Sequence, residues 1–230
     1  MAGEGLLSQR GARLRLLNEG VCPPEANMAR DEALLNAFLQ GAIPPTLRVY
    51  QWASPAITYG VHQRLPESLI HEAERLGVPL FRRPTGGKAV LHGHDLTLAL
   101  VWRPPLERPY PFAVYRTITP AFVEAFEQLG VPARVGSARP DSPLASAGDG
   151  GDCFASATPA DMVHAETGIK LMGCALRVFP EATLLQASIP IEAPRVPVER
   201  LFGHAHPAPP PLNPDLLIAT LFECLQEVLG

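Results

Sequence analysis

In the run LTLALVW, Leu96, Leu98, Leu100 and Trp102 recur at every second position. A period of two is that of a pleated strand, so these apolar side chains share one face of a β-strand. Immediately before it, FRRPTGGKAVLHGHD gathers Arg82, Arg83, Lys88, His92 and His94 around a proline and the pair Gly86-Gly87. Val78, Leu80 and Phe81 read as a strand entering that turn, and AVLHG as a strand leaving it. Two glycines without Cβ atoms let backbone N–H groups come close to a ligand. The surrounding cations favour a ligand that is anionic or bears a carbonyl. By itself a Gly-Gly turn between strands is most often a plain loop. It is not a phosphate-binding P-loop, because the G-x-x-x-x-G-K-[ST] spacing and its hydroxyl are absent.

The rest of the chain supplies further strands and a few helices. EANMARDEALLNAFLQG is helical, with Ala26, Ala29, Ala33 and Ala37 at helical spacing, Leu34 and Phe38 widening the stripe, and Gly41 as a stop. TLRVYQW and AITYG are strands around a turn at Ser54-Pro55, and PESLIHEAERLG is a second helix starting at Pro66. A third helix covers residues 111–130, with Pro120 as a point of kinking or splitting. Residues 133–152 are rich in Ala, Gly, Ser, Pro and Asp and read as a loop; the part from 136 to 152 is expected to be mobile and to act as a lid. ADMVHA, IKLMGCALRVF and TLLQASIPI are strand-like, and HAHPAPPPLN is an extended connector. Asn213 caps a last helix, 213–229, with Leu217, Leu221, Cys224, Leu225 and Val228 on one face. Short connections between strands indicate α+β: mixed, largely antiparallel sheets packed with helices.

Several function classes are disfavoured. At a net charge of −4 and with no Lys/Arg block, the chain is not expected to bind nucleic acid. Its apolar runs are strand-sized, so no membrane span is expected, and the first residues lack a signal-peptide core, which points to the cytoplasm. Cys22, Cys153, Cys174 and Cys224 lie far apart and read as free thiols. His92-x-His94 and His204-x-His206 have no carboxylate or Cys partner at ligand spacing, so no metal is expected.

RRPTGGKAVLH, followed four residues on by LT, preceded by NMARDEALL and followed by GIKLMGCALR, resembles the lipoate-protein ligase and octanoyltransferase family. The resemblance runs from about Asn27 to Ile191. It implies the fold of the biotin-protein ligase catalytic domain and one acyltransferase domain over 1–230. It also implies that Arg82, Arg83, Gly86, Gly87, Lys88 and His92 line a pocket for a medium-chain acyl group and its activated carbonyl. Two departures stand out: Gly93 occupies a position where relatives often carry Asp, which moves any carboxylate role to Asp95, and Lys88 stands where glycine or arginine is common.

Two chemistries share such a pocket. A ligase makes an acyl-adenylate from ATP and free lipoate. An octanoyltransferase needs no cofactor and forms a thioester on its own cysteine, which requires a nucleophilic thiol. Cys153, in GGDCFASATP, resembles the subgroup whose catalytic cysteine sits in a CF motif ahead of a G-x-K strand. A lone cysteine is ordinarily a small buried hydrophobe, but its Gly, Asp and Ser/Thr neighbours argue against a core position. Cys174 is the rival thiol, while Cys22 and Cys224 read as structural. By the same resemblance Lys170 is the pocket lysine that hydrogen-bonds the acyl carbonyl oxygen, and His92 orients the loop or relays a proton. The expectation is an octanoyltransferase. It moves octanoyl from octanoyl-acyl carrier protein through Cys153 to a lysine of a lipoyl-domain protein, such as the glycine cleavage H protein. The alternatives are an ATP-dependent ligase, an amidotransferase between lipoyl domains, or a non-catalytic binder of acyl carriers. The chain's end soon after the shared region favours transfer over those ligases that carry a large C-terminal accessory domain.

Overall fold

The computed structural model describes residues 13–137 and 151–229. The chain opens with β1 (Arg15–Cys22), α1 (Pro24–Leu39), β2 (Thr46–Trp52), β3 (Ala56–Tyr59) and α2 (Glu67–Arg75). Next come β4 (Leu80–Arg82), β5 (Val90–His92), β6 (Asp95–Trp102), α3 (Pro111–Gln128) and β7 (Ala133–Val135). After the undescribed stretch follow β8 (Met162–His164), β9 (Lys170–Val178), β10 (Thr183–Pro190), α4 (Val198–Phe202) and α5 (Pro214–Leu229). The strands form a seven-stranded sheet in the order β1-β2-β6-β10-β9-β8-β7 and a three-stranded sheet in the order β4-β3-β5. Only the β1/β2 and β3/β4 pairs among these are parallel. This is the expected mixed, mostly antiparallel α+β architecture. The turn at Ser54-Pro55 carries the chain from one sheet to the other.

β6 is buried along its whole length rather than on one face. Leu96, Leu98, Leu100 and Trp102 pack with Val114, Ile118, Phe122 and Phe126 of α3 and Leu217, Leu221 and Leu225 of α5. Its intervening Ala99 and Val101 meet Leu34, Leu35 and Phe38 of α1 on the opposite side. A central strand covered on both faces has no need of polar residues, and Thr97 is the one hydroxyl between the apolar positions. Pro120 sits on the exposed side of α3 and the helix continues through it. Asn213 Oδ1 accepts from the Asp215 and Leu216 N–H groups as the N-cap of α5, whereas Val228 is exposed. The small sheet has its own core, in which Ile57 and Leu91 pack with Leu69 and Ala73 of α2 and Leu201 and Phe202 of α4.

Three differences from the sequence reading are instructive. Arg15–Cys22, given no element there, form the edge strand β1; its register slips between Asn18 and Val21, where Gly20 takes φ +61°, and that break hides the alternation. Ala133–Val135, read as the start of a loop, pairs with β8 at the other edge. Of the proposed lid at 136–152, residues 138–150 lie outside the described residues.

The third concerns α1. Its alanine stripe is not the inward face, because Ala29 and Ala33 are exposed while Asn27 and Asp31 are fully buried. The reason lies on β2. Buried Arg48 places Nη1 2.5 Å from Asp31 Oδ1, Nη2 3.0 Å from Asn27 Oδ1 and Nε 2.5 Å from Glu19 Oε2 of β1. Asp31 Oδ2 also accepts from Tyr50 Oη at 2.9 Å and from Gln186 Nε2 at 2.6 Å. Gln186 Oε1 then accepts from Thr85 Oγ1 at 2.7 Å. The helix therefore turns a polar edge inward because a guanidinium waits there.

Removing one partner of such a buried pair leaves an uncompensated charge and costs about 3–5 kcal/mol. Arg48→Met is expected to lose that much in urea denaturation, and Asp31→Leu/Arg48→Met to recover a substantial part of it. Equal losses in the single and double variants would remove the pair from its organising role.

Candidate active site

Backbone pairing sets the position of Cys153. Its N–H donates to Ala89 O at 2.7 Å, and the Ala89 N–H donates to Gly151 O at 2.7 Å, so residues 151–153 run beside the entry to β5. Asp152 Oδ1 accepts from the Phe154 N–H at 3.0 Å and caps the short 3-10 turn Cys153–Ala155.

Lys170, the first residue of β9, reaches into this turn. Its Nζ lies 3.3 Å from Cys153 Sγ, 2.7 Å from Cys153 O, 3.3 Å from Ser156 O and 3.0 Å from Asp161 Oδ2. Both members of the Lys170–Asp161 pair are almost entirely shielded from solvent. Burial pulls the ammonium pKa down, but Cys153 and Asp161 outweigh it and the net shift is upward, so Lys170 is a cation. Asp161 is fixed in turn: Oδ2 accepts from Thr158 N and Oγ1, and Oδ1 from the Cys174 N–H.

Gly173 completes the arrangement. A Cβ there would stand 3.2 Å from Cys153 Sγ and 3.2 Å from Lys170 Cε. Cys174 borders the same hollow, but burial and Asp161 push its thiol pKa well up, which suppresses the thiolate.

The hollow lies between the two sheets. Cys153 and Gly173 border it, Met28, Val90, Ala175 and Ala187 give it apolar walls, and Arg83, His92 and Gln186 supply polar groups. His92 stacks on Trp52 with centroids 4.2 Å apart, and its Nδ1 faces Asp95 Oδ2 at 2.8 Å. The Thr58 hydroxyl and His92 Nε2 share a hydrogen bond at 2.8 Å. Asp95 Oδ2 also accepts from Thr97 and Ser188 hydroxyls. Burial raises this carboxyl's pKa, yet His92 more than reverses that and holds it well below the ordinary range. Asp95 thus places a carboxylate against His92 and the Gly93 N–H.

Arg83 is spent on the loop itself. It donates to Gly86 O at 3.0 Å and 2.6 Å, to Lys88 O at 2.7 Å and to Thr58 O at 3.2 Å. Burial lowers its pKa to about 10, which still leaves it charged. Gly87 takes φ +87°, and its carbonyl packs where Gly60 has no side chain; a Cβ on Gly60 would lie 2.2 Å from that oxygen. Arg82 is exposed and lies over the Tyr59 ring. Arg82, Gly86, Gly87 and Lys88 are not among the residues lining the hollow.

Sequence reasoning missed Asp152, Asp161, Gly173 and Gln186. It also found no carboxylate for His204-x-His206, and here the fold corrects it. His204 Nε2 and His206 Nε2 lie 2.8 Å and 2.7 Å from Asp152 Oδ2, across more than fifty residues of sequence. No local spacing signals such a pairing.

The model of the lipoyl protein ligase A/B catalytic domain matches residues 23–205. The chain belongs to that family. Among relatives, the family member called octanoyltransferase LipM from Exiguobacterium sp. is 34% identical over 79% of this chain and 67% of its own length. LipM of Geobacillus kaustophilus is 40% identical over 52% of this chain and 44% of that protein, so the chain spans about half the length of such relatives. Two solved structures share the fold. These are protein Ta0514 of T. acidophilum with bound lipoic acid (TM-score 0.72, 23% identity, 95% and 86% of the two chains) and a lipoate-protein ligase A bound with ATP (0.68, 24%, 95% and 85%). The family match contains Cys153, Asp161, Lys170 and Gly173 and stops one residue short of His206.

Crowding by an added methyl is typically worth 1–3 kcal/mol. Gly173→Ala is therefore expected to slow alkylation of Cys153 by iodoacetamide roughly tenfold, the equivalent of about 1.4 kcal/mol in a barrier. Its thermal unfolding should stay near that of the parent. An unchanged alkylation rate would show that the sulfur does not depend on the bare Cα opposite it.

Proposed function

We propose that this chain is a cysteine-dependent octanoyltransferase, moving octanoyl from a carrier-protein thioester to the lysine of a lipoyl-domain protein. The observation that carries the reading is the 3.3 Å contact between Lys170 Nζ and Cys153 Sγ at the edge of an apolar-walled hollow. A thiol used only for packing has no need of a buried cation. The LipM relatives support the same reaction, and the ligase structures support only the fold.

The alkyl tail lies along Met28, Val90, Ala175 and Ala187. The Cys153 sulfur, 3.3 Å from the Lys170 ammonium, gives up its proton and attacks the donor carbonyl; a new thioester forms and the carrier's thiol leaves with a proton. The acceptor lysine's neutral amine then attacks that thioester, the amide forms, the amine's extra proton is lost and the Cys153 sulfur is released. In both steps Lys170 Nζ donates to the carbonyl oxygen as negative charge develops on it. Asp161 keeps the ammonium aimed. His92, held by Asp95 and Thr58, and Arg83, holding residues 83–88, shape the hollow and take no proton. No ATP is consumed.

Incubation with octanoyl-acyl carrier protein in the absence of ATP is expected to add one octanoyl group to the intact mass. That adduct should be absent in Cys153→Ala and present in Cys174→Ala. Lys170→Ala should lose on the order of 100- to 1,000-fold in transfer rate, the usual effect of one oxyanion donor. Acylation that requires ATP and free acid, with Cys153→Ala fully active, would move the chain to the ligase chemistry.

A further inference from the structure

We propose that Asp152, His204 and His206 form a site for a divalent transition-metal cation, zinc by its donor set, independent of the reaction assigned above. The three donor atoms lie within 4.8 Å of one another. Asp152 is wholly buried, His206 nearly so, and His204 is partly exposed.

The orientation of His204 suits a metal ligand. Its Nδ1 lies 3.1 Å from Phe202 O, and a carbonyl only accepts, so Nδ1 carries a hydrogen and the ring is anchored through it. Nε2 points at Asp152 Oδ2 at 2.8 Å, a contact that a ring proton bridges as a hydrogen bond and that a metal ion would bridge as a pair of ligands.

A second imidazole nitrogen, His206 Nε2, converges on the same oxygen at 2.7 Å. Two imidazoles and a carboxylate are the donors of a zinc site, and an imidazole anchored through its other nitrogen to a backbone carbonyl is the usual support for one. Zinc bonds of about 2.0–2.1 Å put tetrahedral donors roughly 3.3 Å apart. Seating the ion thus opens each contact by about half an ångström. A hollow lined by His206 and residues 194–199 gives solvent access and leaves room for a water ligand. Beside it, the His94 ring lies 6.5 Å from that of His206, and its buried Nδ1 has no hydrogen-bond partner among the described residues. The ion would fasten the connector after α4 to the residue preceding Cys153.

The test is calorimetric titration of zinc chloride into the untagged, chelator-stripped full chain carrying Cys153→Ser, which removes the thiol as a competing ligand. One zinc per chain is expected, with a zinc-dependent rise in thermal unfolding temperature. Since losing even a supporting partner costs about 10- to 100-fold in affinity, losing a ligand should cost at least that. His206→Gln and His204→Asn should each weaken binding about 100-fold or more and abolish the thermal shift. No saturable binding, or unchanged affinity in both variants, overturns the site. Should either variant fold poorly, cobalt(II) bound to the Cys153→Ser chain decides the matter. Strong visible absorption of a four-coordinate site supports the proposal, and the weak spectrum of a six-coordinate ion overturns it.

Discussion

Arg48 and Asp31 hold the two sheets in relation to one another. Neither charge has meaningful access to water, so each depends on the other and on the neutral groups around them. Arg48 gathers β1 and α1 onto β2, and Asp31 passes the connection through Gln186 to Thr85 in the loop between β4 and β5. A side chain of β10 that borders the hollow is thereby bonded to both the helix and the loop. Hydrophobic burial supplies most of the attraction in these layers, but it is non-directional. The charged network adds direction, and it fixes how the small sheet stands over the large one.

A second buried carboxylate acts likewise at the other end of the hollow. Asp95 fixes His92, His92 fixes the Thr58 hydroxyl, and Arg83 bonds to Thr58 and to the carbonyls of the loop. Arg83, which looks in sequence like a ligand for an anion, is engaged with backbone oxygens. Its charge maintains a shape, and the cation beside the Cys153 sulfur comes from β9.

What was legible in the sequence follows from the range of each interaction. Strands such as β6 and helices such as α5 announce themselves through local periodicity, and their positions were read within a few residues. In α1 the spacing marks a helix and two of its buried residues, Leu34 and Phe38, but Ala29 and Ala33 are exposed, and the burial of Asn27 and Asp31 follows only from Arg48 opposite. Cys153 and Lys170 were picked out by resemblance. Asp161 and Gly173 were not, since one acts by aiming an ammonium and the other by having no side chain. Asp152 and the histidines at 204 and 206 meet only through tertiary structure.

The suspension of residues 151–153 from Ala89 bears on how this chain tolerates variation in length. The Cys153 amide and the Gly151 carbonyl are both tied to one residue at the start of β5, and the Gln63 side chain donates to the same carbonyl. The sulfur's coordinates are therefore inherited from the small sheet, not from the polypeptide that leads up to it. Insertions or deletions upstream of Gly151 alter the path by which the chain arrives without altering where the thiol is delivered. A composition as loose as that of residues 138–150 is compatible with a thiol held in place at residue 153 for this reason.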